Sequence, residues 1–216
     1  MRVTKKYNVR LNEILDAAEM LFAQTGYEKT TINSILEKVG IGKGTFYHYF
    51  QSKEELADAV VARVAEYMTA RVNTSQSRPA ENAHDKMLAA LYALSLRIAE
   101  NPHLDLIDAM GNPYNAFLHQ KVTVNVVRLL APILAAIAEE GIAEGFYQSE
   151  YPLETFEISI SAILTLHNWN IMGKSLDELE LRMTAITRMM ELSLGAPKGS
   201  FDILLGKMPT EKGEES

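Results

Sequence analysis

Apolar residues recur in this chain at intervals of three and four almost from end to end, and no stretch alternates with period two long enough to make a strand. A helix shows residues i, i+3, i+4 and i+7 on one face, so this spacing commits the chain to an all-α fold of amphipathic helices. Leu11, Ile14, Leu15, Ala18, Leu21 and Phe22 trace a first helix, which Gly26 ends. Ile32, Ile35, Leu36 and Val39 trace a second, with Thr30 or Thr31 as its N-cap and Gly40 as its C-terminal glycine. Past the short link Gly40-Ile41-Gly42, a brief third helix runs from about Lys43 to Phe50. A fourth opens on the capping box Ser52-x-x-Glu55 and continues through Leu56, Val60, Val64, Tyr67 and Met68. The polar stretch Asn73 to Pro79 predicts a loop. Helical spacing resumes over about 82–100, 103–111, 114–141, 153–172 and 176–195, with a kink expected at Pro132 and a frayed tail at 209–216.

Charge is divided unevenly along the 216 residues. Residues 1–53 carry 8 basic and 5 acidic side chains, a balance of +3, and the remainder carries 13 and 23, a balance of −10. A small basic head on an acidic body points to two jobs in one chain. The overall charge of −7 argues against a protein that coats nucleic acid without regard to sequence. The chain has no Cys, which excludes disulfides, zinc fingers, iron–sulfur clusters and thiol catalysis. The first ten residues show no apolar core behind their charges, unlike a signal peptide. The longest apolar run, Leu129 to Ala138, falls short of the ~20 residues a bilayer requires. A cytoplasmic protein without a membrane partner is therefore expected.

The third helix holds the clearest functional signal. Phe46, Tyr49 and Phe50 lie at i, i+3 and i+4 and form one apolar face, to be packed on the first two helices. The opposite side holds Lys43, Gly44, Tyr47 and His48, which is basic, hydroxylated and without acidic groups. Two helices joined by a glycine turn describe a helix-turn-helix, whose second helix fits the ~12 Å major groove of DNA. Each residue then has a physical task. Lys43 meets a phosphate with help from the helix dipole, and Gly44 lets the backbone approach the sugar–phosphate wall. Tyr47 and His48 donate to phosphate oxygens, and Thr45 touches a base edge or a thymine methyl. The competing reading is a short aromatic helix that only packs.

The order of these segments resembles a known family. Ile14-Leu15-Asp16-Ala17-Ala18-Glu19-Met20-Leu21-Phe22, Gly26-Tyr27-Glu28-Lys29-Thr30-Thr31, Gly40-Ile41-Gly42-Lys43-Gly44-Thr45-Phe46-Tyr47-His48-Tyr49-Phe50 and Gln51-Ser52-Lys53-Glu54-Glu55-Leu56 together resemble the DNA-binding domain of TetR-type transcriptional regulators. The resemblance implies a recognition helix at 43–49, and phosphate contacts from Thr31 and Lys53. Many members carry Ser where this chain has Gly42; Gly still caps, but a hydroxyl contact to phosphate is absent. The implied organisation is a three-helix helix-turn-helix domain at 1–52, a larger helical ligand-binding and dimerisation domain at 53–208, and a tail at 209–216.

For the body, the resemblance implies dimerisation through the last two long helices, and the local pattern permits it. Leu179, Met183, Ile186 and Met190 form one seam, and Phe156, Ile160 and Ile163 another. The same stripes equally suit the core of a single chain. Polar and aromatic residues on otherwise apolar segments, namely His103, Met110, Tyr114, Phe117, His119, His167 and Trp169, suit the lining of an effector pocket, or else satisfied groups of the core. No metal or cofactor is expected, because among the His and Asp residues of this region only Asp105 and Asp108 share a helical face by spacing.

An enzyme finds no support in the residues. Gly40-x-Gly42-x-Gly44 is not G-x-G-x-x-G, Gly42-Lys43-Gly44 lacks the hydroxyl residue of a P-loop, and no H-E-x-x-H or G-x-S-x-G occurs. Catalytic residues are accordingly not assigned. The expected function is a dimeric repressor that binds an inverted-repeat DNA operator and is released by a small molecule. The alternative is a ligand-independent DNA-binding module whose helical body binds a partner protein.

Overall fold

The computed structural model describes residues 2–94, 102–166 and 176–206. Those residues form nine α-helices, short 3₁₀ turns and no strand. The helices are α1 (Arg2–Thr25), α2 (Ile32–Val39), α3 (Lys43–Tyr49), α4 (Lys53–Gln76), α5 (Ala83–Leu94), α6 (Leu104–Asp108), α7 (Ala116–Ala143), α8 (Pro152–Leu166) and α9 (Leu176–Leu194). The segment Asn73–Gln76, expected as loop, completes α4 instead. Thr74 and Ser75 hydroxyls donate back to the Ala70 and Val72 carbonyls at 2.8 and 2.7 Å, which lets polar residues end a helix without leaving it. The expected helix at 95–100 and 167–172, and the tail at 209–216, lie outside the described residues.

Two compact units emerge, each built from two separate stretches of the chain. The first joins Met1–Ala65 to Ala99–Asn125. Ile14, Ala18 and Phe22 of α1, Ile35 of α2, Phe46 of α3 and Leu56 and Val60 of α4 make its fully buried centre, with Leu106 and Leu118 contributed from far along the chain. The turn after α1 is held hardest. Gly26 has φ +88°, and a Cβ there would lie 2.4 Å from Cβ of Tyr114. Asn115, fully buried, accepts from Tyr27 N–H at 2.7 Å and donates to the carbonyls of Phe22 and Ala109 at 3.0 Å each. One amide side chain thereby ties α1, the turn and the 3₁₀ segment Ala109–Gly111 together.

The second unit joins Glu66–Ile98 to Val126–Ser216. Met87 of α5, Leu130 and Leu134 of α7, and Phe156 of α8 fill its core with Phe201. Helix α9 packs along α8. Buried Glu191 of α9 accepts from Arg188 and from the backbone N–H groups of Gly199 and Phe201, which fixes the turn beyond the helix. His84 lies 2.8 Å from the Tyr147 hydroxyl, and Gly141 is bare because a Cβ there would meet the Tyr147 ring at 2.4 Å.

Helix α7 runs unbroken through Pro132. With the 3₁₀ turn before it, the segment Pro113–Ala143 is long and apolar enough to cross a bilayer by length and composition alone, although its longest uninterrupted apolar run is short. Its apolar stripe is turned inward instead: Leu118, Val122, Val126, Leu130, Leu134 and Ala138, four residues apart, are all buried within the chain.

Candidate nucleic-acid interface

Helix α3 begins on Gly42, whose extended backbone caps the helix with no side-chain hydrogen bond, and ends at Phe50. Helix α2 ends on Gly40 in the left-handed region (φ 72°), so three residues suffice to turn the chain. At the other end of α2, Thr31 is the cap: its Oγ1 accepts from Ser34 N–H at 3.1 Å, and Ser34 Oγ accepts from Thr31 N–H at 3.1 Å. Thr30 is buried and donates to the Gly26 carbonyl at 2.8 Å, which settles the choice between the two threonines.

The face of α3 is as sharply divided as its spacing requires. Phe46 and Phe50 are buried, while Lys43, Gly44, Thr45, Tyr47 and His48 are exposed. Nothing lies within 4 Å of a Cβ built on Gly44, so no packing constraint inside the chain explains a glycine there. From Lys38 to Lys53 there is no acidic residue. Tyr49 stacks on Tyr7 of α1 with ring centroids 4.6 Å apart, and His48 meets the same Tyr7 ring edge-on at 6.0 Å. These rings brace α3 from the side, and Tyr7, four residues before Leu11, extends the apolar stripe of α1 toward them.

Residues 14–60 match the family described as "Bacterial regulatory proteins, tetR family", and residues 99–188 match "Tetracyclin repressor-like, C-terminal domain". The repressor KstR2 of Mycobacterium tuberculosis is 31% identical over 169 residues, covering 71% of this chain and 76% of that protein. The chain belongs to the TetR family of transcriptional regulators. The uncharacterized HTH-type transcriptional regulator YhgD of Bacillus subtilis is 26% identical over 76% of this chain and 86% of its own length. Among solved structures, RolR in complex with the ligand resorcinol superposes with TM-score 0.62 at 18% identity, over 97% of this chain and 100% of that one. Reduced NemR of E. coli gives 0.61 at 20% identity, over 88% and 99%. The TetR fold is thus shared across the chain. As a family of DNA-binding regulators, these proteins are not enzymes.

Against that frame, several residue assignments change. Lys53, expected to contact a phosphate, is engaged within the chain. Its Nζ donates to the carbonyls of Tyr27 and Thr30 at 2.9 and 3.0 Å, lies 3.4 Å from that of Glu28, and sits over the Tyr27 ring at 4.3 Å. Its three protons already face the turn after α1. Burial pulls its pKa below the ordinary lysine value, and Glu28 opposes the shift.

Five of the seven residues expected to line an effector pocket lie among the described residues. His103, Met110, Tyr114, Phe117 and His119 all fall in the first unit, with the DNA-binding head. His103 is buried, with Nδ1 2.6 Å from Glu19, and Glu19 is also held by Arg63, which reaches Asp16 at 2.6 Å. Met110 is core, Phe117 stacks on Tyr27 at 5.2 Å, and Tyr114 carries Lys29 over its ring at 3.7 Å. His119 is half-buried, and His167 and Trp169 lie outside the described residues. Among the described residues no cluster of three His, Asp or Glu is placed to hold a metal.

Phe156, Ile160, Ile186 and Met190 are buried where α8 packs on α9, and Ile163, Leu179 and Met183 are half-buried. Phe156, Ile160, Ile186 and Met190 belong to the core of the single chain, and Ile163, Leu179 and Met183 lie at its edge. The most exposed apolar side chains on these helices are Ile158 on α8 and Leu181, Met189 and Leu192 on α9, each 62–80% exposed.

Proposed function

We propose that this regulator is a homodimeric repressor that binds an inverted-repeat operator through α3 and leaves it when a small molecule occupies the helical body. The observation that carries the proposal is the division of α3, with Phe46 and Phe50 buried and Lys43, Gly44, Thr45, Tyr47 and His48 exposed. An exposed helix face that is basic at its N-terminus and bare at its second residue suits a major-groove wall. Lys43, Tyr47 and His48 hold phosphates, Thr45 reads a base, and Thr31 adds a hydroxyl at the start of α2. Acting on DNA, the protein works in the cytoplasm.

The exposed stripe Leu181, Met189 and Leu192, joined by Ile158, supports dimerisation. Exposed apolar side chains aligned along a helix are costly in water and are covered by a twin copy across a two-fold axis. The resorcinol complex of RolR supports an effector in the body. To weaken operator binding ~100-fold, that effector must prefer the released state by about 2.7 kcal/mol.

The test is operator affinity against salt. Lys43→Ala weakens all sequences alike and lowers the salt slope by about one, while Thr45→Ala changes the preferred sequence at one position of each half-site. An unchanged slope and an unchanged sequence preference would together sink the assignment.

A further inference from the structure

We propose that a groove between the C-terminal half of α4 and α5 binds a small organic anion with a flat apolar body, of the aromatic carboxylate kind. This rests on the reading of the helical body as effector-binding and names the chemistry of the effector site. The groove encloses about 290 Å³, at the lower end of the ~300–1,000 Å³ that hold small ligands. Tyr67, Arg71 and Thr74, spaced four and three residues apart on one face of the α4 end, line one side, with Arg78 from the turn just beyond the helix. The α5 side offers Ala89, Ala93 and Tyr92. The short alanine side chains are what leave the space open.

The charge of the groove is one-sided. None of its lining residues is acidic. Arg10, Arg63 and Arg188 each hold a carboxylate, but Arg71 and Arg78 make no ion pair among the described residues. The hydroxyl protons of Thr74 and Ser75 are committed to the carbonyls of Ala70 and Val72. The strong donors left to the groove are therefore the two guanidiniums, and a planar N–H fork matches a carboxylate with two parallel hydrogen bonds. The aromatic half of the ligand has its own surface: Arg71 already sits 5.7 Å from the Tyr67 ring centroid, and Tyr92 is 52% exposed on the facing wall. A cation beside two aromatic rings favours a flat, negatively charged molecule over a neutral or a bulky one.

The experiment is calorimetric titration of the full chain with 2-naphthoate and with its neutral counterpart, 2-naphthamide. Naphthoate is expected to bind once per chain with Kd below about 1 mM. The amide, and the double variant Arg71→Gln/Arg78→Gln with naphthoate, are each expected to bind at least about tenfold more weakly. The exposed control Lys198→Gln leaves naphthoate binding unchanged. Because the double variant can fail to fold, Arg78→Gln alone is measured beside it, with circular dichroism as the check. Absence of binding at about 1 mM, equal affinity for acid and amide, or an unaltered affinity in the folded variants overturns the proposal. Operator binding separates the two readings. Naphthoate that binds through the arginines but leaves the operator occupied ends the release mechanism and keeps the groove. A different compound that releases the operator from the double variant keeps the release mechanism and ends the groove as the effector site.

Discussion

Replacing Asn115 by Ala tests how the DNA-binding head is fastened. Asn115 is fully buried and makes three hydrogen bonds: one accepted from Tyr27 N–H at 2.7 Å and two donated, to the carbonyls of Phe22 and Ala109. The three losses are not equal. The Phe22 carbonyl still accepts from Gly26 N–H at 3.1 Å, and that of Ala109 from Asn112 N–H at 3.0 Å, so each carbonyl keeps a partner. Tyr27 N–H keeps none. An orphaned donor costs ~1–3 kcal/mol, and each bond lost from a carbonyl that keeps another partner only ~0.5, the low end of the ordinary range, so the variant should lose about 2–4 kcal/mol. At ~2–4 °C per kcal/mol for a chain of this size, the melting temperature falls by roughly 5–15 °C. Asn115→Asp separates hydrogen bonding from volume. It keeps the acceptor for Tyr27 but points a carboxylate oxygen at two carbonyls, so at pH 7 it should be less stable than Asn115→Ala. Thermal melts followed by circular dichroism at pH 7 decide the matter. If Asn115→Ala lost under about 1 kcal/mol, or if Asn115→Asp matched the wild type, the account of this clamp would be wrong.

Other expectations follow from the same geometry. Gly44→Ala should fold with equal or greater stability, by up to ~1 kcal/mol, yet bind operator at least about tenfold more weakly; retention of operator affinity would show that the backbone does not approach DNA there. Lys53→Ala should lower the melting temperature while leaving the salt slope of DNA binding unchanged, the reverse of Lys43→Ala, because its ammonium is occupied by the turn after α1. Glu19→Gln should cost about 1–3 kcal/mol at pH 7 in urea unfolding. Burial alone would raise the Glu19 pKa, but hydrogen bonds from His103 and Arg63 outweigh it and hold the value below the ordinary 4.5. The folded value being the lower, this stabilisation is present above the unfolded pKa and fades as pH falls through the folded one, so the gap between wild type and Glu19→Gln narrows as pH falls below about 4.5. Leu192→Arg, at a site 80% exposed, should shift the protein to monomer in analytical ultracentrifugation without changing its helix content.

The head was legible in the sequence because its signals are local. Gly26, Gly40 and Gly42 bound the helices, Phe46 and Phe50 mark the buried side of α3, and what remains on that helix is the face offered to DNA. Spacing within four residues carries all of this. The helix start at α4 was read with one shift: Ser52 Oγ accepts from Glu55 N–H at 3.0 Å, but the Glu55 carboxylate returns to Gln51 N–H rather than to Ser52. The body was less legible, for two reasons. Its key partners are remote in sequence. His103 is satisfied by Glu19, 84 residues away, and Asn115 by Tyr27, 88 away, and neither pairing leaves a periodic trace. Secondly, α9 is apolar on two sides. Ile186 and Met190 repeat with helical spacing, and so do Leu181, Met189 and Leu192; only burial distinguishes the side that packs on α8 from the side left outside. Lys53 shows the same limit: a lysine at a helix start serves a phosphate or a carbonyl turn, and residue type does not separate them.

The most direct test of the account is selection from a random duplex pool by the purified protein at near-physiological salt. The account predicts an inverted repeat whose half-sites lie about one DNA turn apart, ~34–36 Å, or a multiple of it. It further predicts that Thr45→Ala shifts the preferred base at the same position of each half-site. Recovery of no preferred sequence from the folded protein would contradict it, because the exposed face of α3 would then not be reading DNA.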